Sequence, residues 1–285
     1  MDQNPERVRV LGLSIGLFAN LNALVDAWHW HDERGNRVLV DWRRLPGGYK
    51  NTAAEDPFDT LFYRDHNEAY DDESIPVFVR RRSITAPLGP VRRRTVREYL
   101  RAPERRPVLM RPPPDRDLVR NVLDRHLQLR PKISEAAEDF CLPADCVGLH
   151  IRGPGKHDTG VGYMWRVWGI DGPPYGRYFR LLDRVDWNHI LLATDSGEVR
   201  RKVVARYGRR VTYQEIPLSD AGEDYHGGTP GAGGRDLLRG AMIDVLLLAR
   251  CRAVIHGNSN LSNFLLGYAP DLPAHDIYAE FYARC

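Results

Sequence analysis

The sequence predicts an α/β protein with parallel sheets, on three observations. Short runs rich in Val, Ile and Leu alternate with stretches of helical periodicity along most of the chain. Several of these runs are apolar throughout, as in strands of a parallel sheet that is covered on both faces. Glycine and polar residues directly follow these runs, where α/β proteins bind phosphorylated ligands. With 285 residues, the chain is long enough for two such lobes.

The first lobe begins as a βαβ unit. A strand is predicted at 8–13, a helix at 20–31 and a second strand at 38–40, because Leu21, Leu24, Val25 and Trp28 recur at helical spacing. Residues 42–88 are mostly polar loop with a short strand at 77–79, and a short helix is predicted at 95–100. The run Arg111-Pro-Pro-Pro114 breaks regular structure, so we place a boundary there, between lobes 1–114 and 115–285.

The second lobe repeats the alternation of strand and helix. Two helical stretches, 117–129 and 133–140, precede its first strand. The remaining expected elements are, in order, strand 147–151, helix 175–182, strand 189–193, helix 197–206, strand 210–213, helix 236–249, strand 253–256 and helix 260–267. Residues 222–234 are glycine-rich and predict a flexible loop that is a candidate lid.

Composition excludes several classes of protein. Hydrophobic residues make up 42% of the chain and charged residues 28%, as in an ordinary globular protein rather than a disordered one. The net charge is only +3, and most cationic side chains are arginines, which suit phosphate recognition. The triplets Arg80–Arg82 and Arg92–Arg94 lie near acidic runs, so a solvated face is favoured over a nucleic-acid partner.

The location expected from the sequence is the cytoplasm. The four cysteines have neither zinc-finger spacing nor a dense disulfide pattern, which favours reduced structural thiols. The first residues do not resemble a signal peptide, and no apolar run approaches the ~20 residues that span a bilayer.

The strongest candidate site follows the strand at 147–151. His150 and Arg152 are two residues apart at the strand's end and therefore point to the same face. Arg152, beside Gly153 and Gly155, could hold a diphosphate while backbone N–H groups approach it. The run Gly-Pro-Gly-Lys156 is not a P-loop, because the required first glycine and the final Ser/Thr are missing.

Two later segments add polar groups at equivalent positions. Thr194 and Asp195 follow the strand at 189–193, with Ser196 as the expected N-cap of the next helix. Ser259 and Asn260 stand before the last helix and predict an anion site at its N-terminus.

Asp244 lies within an apolar helix and needs a partner there. A lone carboxylate in such surroundings is costly unless it is paired. Arg239, Arg250 or the edge of a guanine base could supply the pairing.

A metal site is not expected. His29 and His31 are two residues apart on a predicted helix, so they face different ways and do not readily share one ion. No Asp-x-Asp pair stands at a strand end in a convincing setting.

The order and the roughly hundred-residue separation of the polar segments favour a nucleotide-sugar site over a dehydrogenase.

These segments together resemble the GDP-fucose-dependent fucosyltransferases. The resemblance rests on Gly-Leu-His150-Ile-Arg152-x-x-x-Lys156, on Leu-Ala-Thr194-Asp195, on Leu-Arg239-Gly-x-x-x-Asp244, and on Val-Ile-His-Gly-Asn-Ser259-Asn260. The branch it resembles is the α1,6 group, with the core N-glycan and rhizobial nodulation-factor enzymes. Gly16 and Asn20 resemble that family's N-terminal glycine loop.

The resemblance implies a GT-B-like fold with two Rossmann-like lobes. It also implies an inverting, metal-independent bacterial enzyme that transfers fucose from GDP-fucose to a glycan or other hydroxyl acceptor, without a cofactor. By the same resemblance, His150 and Asp244 would face guanine. Arg152 would neutralise the departing diphosphate, and Ser259 and Asn260 would bind phosphate oxygens.

The chain departs from the family pattern around the expected catalytic residues. Gly153 stands where a second arginine is usual, and Gly160 stands where the family's presumed base is a glutamate. Asp158 is the nearest carboxylate and is our candidate base, beside Lys156. These glycines keep open an alternative: a nucleotide- or glycan-binding protein with a decayed glycosyltransferase site.

Overall fold

A small parallel sheet begins the chain in the computed structural model. Strand β1 (Arg7–Leu11) pairs with β2 (Arg37–Asp41), and helix α1 (Leu17–Asp32) connects them. This is the βαβ unit that the sequence predicts. The structure describes residues 6–12, 16–43, 45, 49–50, 55–64, 74–77, 114–153, 173–219, 234–257 and 259–278.

Three further helices lie between the first sheet and the second in the described residues. They are α2 (Phe58–Leu61), α3 (Arg116–His126) and α4 (Pro131–Glu138). Asp115 begins α3, because its side chain accepts a hydrogen bond from Leu118 N at 3.2 Å. Pro131 begins α4, where its missing N–H and fixed φ cost nothing.

The second sheet has five parallel strands in the order β5-β4-β3-β6-β7. The strands are β3 (Cys146–His150), β4 (His189–Ala193), β5 (Val211–Thr212), β6 (Ala253–His256) and β7 (Ala274–Asp276). The helices between and after them are α5 (Tyr175–Leu182), α6 (Gly197–Tyr207), α7 (Gly234–Ala249) and α8 (Asn260–Tyr268). This arrangement confirms the predicted α/β class.

Strand β3 is covered on both faces, as its apolar sequence requires. Val147 and Leu149 point to one face, where they pack in a core with residues of α5 and α6. Cys146 points to the opposite face, in the core that includes α7 and α8. A Cβ added at Gly148 would lie 2.7 Å from Leu248, so only glycine lets α7 approach the strand this closely.

Helix α8 links the second sheet to the first. It packs against α1 and α3, and these helices share one hydrophobic core with residues of β1 and β2. A polar contact accompanies this packing, because Asn22 of α1 donates its amide to the backbone oxygen of Asn260 at 3.0 Å. The N-terminal lobe is thereby fixed beside the start of α8. The proposed boundary at 114/115 remains a prediction.

The structure differs from the sequence-based expectations in several details. Strand β7 was not predicted, since three residues carry too little periodicity to be recognised. Of the predicted strand 77–79, Val77 forms an isolated bridge to Arg9, and the predicted helix 95–100 lies outside the described residues. No described helix is long and apolar enough to cross a membrane.

The contact between α8 and α3 predicts the effect of a single methyl group. A Cβ at Gly267 would lie 2.7 Å from the Cβ of Val119. We therefore expect Gly267→Ala to lower the free energy of unfolding by about 1–3 kcal/mol, because a tightly packed contact must shift. Urea denaturation followed by circular dichroism measures the change.

Gly176→Ala is the matched control in another helix. A Cβ there meets only the end of the Arg180 side chain, at 3.6 Å. This substitution should be neutral or stabilise the protein by roughly 0.5–1 kcal/mol, since alanine is the better helix former. Equal effects at the two glycines would contradict the packing described.

Candidate functional site

Several of the predicted site residues lie at the carboxyl edge of the five-stranded sheet. His150 ends β3 and is paired in register with Ala193 of β4 and His256 of β6. The residues after these three strands therefore emerge side by side. This is the edge at which the sequence placed a phosphorylated ligand.

Asp195 connects the ends of β3 and β4. Its Oδ1 accepts the backbone N–H of Gly153 at 2.7 Å, and its Oδ2 lies 3.2 Å from Nη1 of Arg152. The Arg152 side chain is 29% exposed, so its guanidinium is held by a carboxylate while part of it still faces solvent. The arrangement gives a positioned cation at the edge of the sheet.

Position 153 requires glycine because the segment that follows β4 lies very close to it. A Cβ at this position would lie 2.6 Å from the Cβ of Ser196 and 3.1 Å from Oδ1 of Asp195. An arginine here, as in the family pattern, would displace the segment that holds Arg152. The glycine is therefore explained by packing and is not by itself a sign of decay.

Thr194 and Ser196 shape the start of α6. The side chain of Thr194 accepts a hydrogen bond from Ser196 N at 3.2 Å, and that of Ser196 accepts from Val199 N at 3.4 Å. The predicted N-cap at Ser196 is confirmed. Thr194 therefore makes a hydrogen bond that supports the start of α6. Its predicted contact with the nucleotide-sugar donor stays a prediction.

The N-terminus of α8 is built by two serines. Ser259 caps the helix by accepting from Ser262 N at 3.0 Å. Ser262 is fully buried, and its Oγ lies 3.1 Å from Nδ1 of His150. Asn260 is the first residue of the helix. These contacts place His150 against the helix N-terminus, where backbone N–H groups favour an anion.

Burial keeps His150 uncharged. The side chain lies in the interior, and this lowers its pKa to about 3, with a smaller contribution from the nearby Arg152 guanidinium. His150 is therefore neutral at physiological pH and contributes a hydrogen-bonding imidazole rather than a positive charge.

The N-terminus of α1 carries the two candidates of the first lobe. Gly16 has a φ of 92°, a conformation that favours glycine, and it precedes the helix. Asn20 donates its amide to the backbone oxygen of Gly16 at 2.9 Å, which holds the first turn together. Since α1 packs on α8, both lobes contribute a helix N-terminus near this edge.

Asp244 has a partner that the sequence analysis did not identify. Gln214, which follows β5, donates its side-chain amide to the Asp244 carboxyl and to the backbone oxygen of Gly240, the latter at 3.0 Å. The ion pairs considered for Asp244 are wrong, because Arg250 binds Ala137 O and Arg239 lies 3.8 Å from Asp236. Gln214 occupies a strand end, so the rule that located Thr194 would also have found it.

Burial raises the pKa of Asp244 to about 7, against the opposing influence of the Gln214 hydrogen bond and the Arg200 charge. The carboxyl can therefore change its protonation state near neutral pH. A buried group of this kind is a functional-site candidate.

Arg239 lies in a different place. It lines a groove of about 670 Å³ between α2, α4 and α7. Its neighbours there include Lys132, Arg235 and Glu55, and Arg235 is ion-paired with Glu55. None of the other described candidates lines this groove. Arg239 thus lines this groove, whereas Asp244 of the same helix is bonded by Gln214.

Two predicted catalytic residues fall outside the described residues. They are Lys156 and Asp158, and the same holds for Gly160. Their expected roles stay predictions. Within the described residues, no group of three or more His, Cys, Asp or Glu side chains could hold a metal ion.

Comparison with solved structures identifies the fold. The fucosyltransferase NodZ from Bradyrhizobium is similar over 92% of both chains, with 16% identity and a TM-score of 0.50. NodZ α-1,6-fucosyltransferase co-crystallised with GDP matches over 95% of this chain and 93% of that one, with 17% identity and a TM-score of 0.50. POFUT1 in complex with GDP matches over 96% of this chain and 99% of that one, with 12% identity and a TM-score of 0.50.

These matches show that the chain shares its fold with the fucosyltransferase NodZ and with POFUT1, in agreement with the fold that the sequence resemblance implied. No protein-family model and no curated protein matches the chain. At these identities the similarity extends to the fold, and the activity has to be argued from the site.

The raised pKa of Asp244 predicts a pH-dependent contribution to stability. The folded state holds the proton more tightly than the unfolded state, so the contribution is complete at acid pH and is lost as pH rises through about 7. Asp244→Asn removes this loss. Between pH 5 and pH 8 we expect the unfolding free energy of the variant to gain about 2 kcal/mol relative to wild type.

Urea unfolding at several pH values checks this expectation. Asp236→Asn is the control, because it removes an exposed carboxylate from the same helix. A constant difference between Asp244→Asn and wild type from pH 5 to pH 8 would show that the Asp244 carboxyl does not titrate as described.

Proposed function

We propose that this protein is a glycosyltransferase that moves fucose, or a related sugar, from a GDP-linked donor to a hydroxyl of a glycan or other acceptor. The fold supports the reaction class, since its structural neighbours include NodZ α-1,6-fucosyltransferase co-crystallised with GDP, and POFUT1 in complex with GDP. The free cysteines among the described residues fit a reducing compartment, so we retain the cytoplasm as the proposed location.

The position of Arg152 is the observation that carries the proposal. It stands at the carboxyl edge of β3, held by Asp195 and partly open to solvent. A guanidinium fixed in this way can bind two diphosphate oxygens without first losing the entropy of ordering its own side chain. Its neighbours at this edge include the N-terminus of α8, a second place where phosphate oxygens are stabilised.

The proposed reaction is an inverting displacement. The acceptor oxygen attacks the anomeric carbon from the face opposite to GDP, the bond from that carbon to the diphosphate oxygen breaks, and the electron pair leaves with GDP. Negative charge therefore grows on the diphosphate, and Arg152 would stabilise it in the transition state. We assign the acceptor proton to Asp158 and a supporting charge to Lys156.

The donor's other contacts follow from the same edge. We propose that the diphosphate meets Arg152, Ser259 and Asn260, with Thr194 beside them, and that the base meets His150 and Asp244. Gly16 and Asn20 would contact the donor from the first lobe. We propose that the rest of the first lobe binds the acceptor. An arginine can neutralise a leaving diphosphate by itself, so the proposed mechanism requires no metal.

Isothermal calorimetry with GDP, UDP, dTDP and ADP tests the donor assignment. We expect GDP to bind at least about tenfold more tightly than the other three. Arg152→Ala should weaken GDP binding about 10- to 100-fold, as expected when a charge-assisted hydrogen bond is lost. Equal or absent binding of all four nucleotides would refute the proposal.

Arg209→Ala is the matched control. Arg209 is an exposed arginine in the short 3-10 turn that precedes β5, so it lies at the amino edge of the parallel sheet and not at the carboxyl edge of the site. Its removal tests whether a general loss of positive charge explains the result.

A turnover assay distinguishes an enzyme from a binding protein with a decayed glycosyltransferase site. Sustained GDP release from GDP-fucose in the presence of a glycan acceptor excludes the binding protein.

A further inference from the structure

Three hydrogen bonds converge on one buried hydroxyl beside the proposed donor site. Ser262 Oγ lies 2.8 Å from the backbone oxygen of Gly257, 3.1 Å from Nδ1 of His150 and 3.0 Å from Oγ of Ser259. Ser262 has no exposed surface. The direction of each hydrogen bond can therefore be assigned from the protons that are available.

A serine hydroxyl has one proton to donate and two lone pairs that accept. The backbone oxygen of Gly257 can only accept, so Ser262 uses its single proton there. Nδ1 of His150 must then carry a proton and donate it to Ser262. The hydroxyl of Ser259 must also donate to Ser262, while its own oxygen accepts the N–H of Ser262.

His150 consequently has one defined tautomer. Burial lowers its pKa to about 3, so the ring carries a single proton at neutral pH. That proton is on Nδ1, and Nε2 is left with a lone pair. The hydrogen bond to Ser262 is made by Nδ1 and does not use Nε2.

We propose that Ser262 is a positioning residue that fixes the Nδ1–H tautomer of His150 and so makes Nε2 an acceptor for an N–H or O–H group of the bound nucleotide. This inference rests on the proposed function. An acceptor at Nε2 also orients the nucleotide, because ionised phosphate oxygens only accept and have no proton to donate to Nε2. The base or ribose therefore lies against His150, and the diphosphate lies against Arg152, two residues further along the chain.

Nitrogen NMR of the free protein, labelled with ¹⁵N-histidine, tests the tautomer. The His150 signals are identified by their loss in His150→Gln. We expect a protonated Nδ1 and an unprotonated Nε2 from pH 6 to pH 8. Ser262→Ala should move the proton to Nε2 or produce a mixture, and Ser262→Thr, which keeps the hydroxyl, should restore the wild-type pattern.

Ser219→Ala is the control for removing a buried serine hydroxyl, since the Ser219 hydroxyl has no hydrogen-bond partner in the described part of the chain. A wild-type protein with the proton on Nε2 would overturn the inference. An unchanged His150 tautomer in Ser262→Ala would overturn it as well. If one variant does not fold, the wild-type spectrum still tests the tautomer, and the other Ser262 variant tests the role of the hydroxyl.

Binding measurements test the consequence for the ligand. Ser262→Ala should weaken GDP binding by about tenfold and leave the affinity for inorganic pyrophosphate unchanged, because the proposal places a diphosphate against Arg152 and not against Nε2. Inosine diphosphate and 2′-deoxy-GDP distinguish a base N–H from a ribose O–H as the donor. Equal losses for GDP and pyrophosphate would contradict the assigned orientation.

The two proposals can fail separately. If wild type binds neither GDP nor pyrophosphate, the proposed function is wrong, and the spectrum of the free protein still decides the role of Ser262. If GDP binds and the His150 tautomer does not depend on Ser262, the positioning role is wrong and the proposed function stands.

Discussion

The site depends on one carboxylate that joins two strand ends. Asp195 accepts the N–H of Gly153 and pairs with the guanidinium of Arg152. This is possible because β3 and β4 are parallel and in register, so that the residues after them leave the sheet together. It also requires that position 153 have no side chain, because Ser196 occupies that space. The contact between Asp195 and Arg152 thus depends on three features: the register of the sheet, the glycine at position 153 and the position of Ser196 at the start of α6.

Burial gives the edge its electrostatic character. His150 is neutral, and Asp244 is held close to its neutral form, because charge is costly in the interior. The Arg152 guanidinium, by contrast, is partly exposed and paired with Asp195. The fixed positive charge is therefore concentrated where a diphosphate would lie, and the buried residues contribute hydrogen bonds instead. This division suits a nucleotide, which has an anionic diphosphate at one end and a base and ribose that form hydrogen bonds at the other.

Much of the fold could be predicted from the sequence because its strands and helices have strong local patterns. The strands at 189–193 and 253–256 have the predicted bounds, and the caps at Ser196 and Ser259 begin the helices that follow. Polar residues at strand ends correctly indicated a common edge. Here the local pattern is sufficient, since parallel strands bring their carboxyl ends together wherever they lie in the chain.

The rest depends on contacts between distant segments, which no local pattern encodes. Asp244 is bonded by Gln214 across the gap between β5 and α7, and the two arginines considered for it face elsewhere. Arg239 belongs to a groove formed with α2 and α4 rather than to the strand edge. The role of Ser262 could have been suspected from its position three residues after a helix cap, but its contact with His150 required the fold.

The most direct test of the central claim is a double-mutant cycle between Arg152→Ala and Asp195→Asn, with GDP affinity measured by calorimetry. Asparagine preserves the shape of the side chain and removes the charge that holds the guanidinium. If Asp195 acts by positioning Arg152, the two substitutions should couple by about 1 kcal/mol or more. Effects that simply add, to within about 0.3 kcal/mol, would show that Asp195 does not act through Arg152.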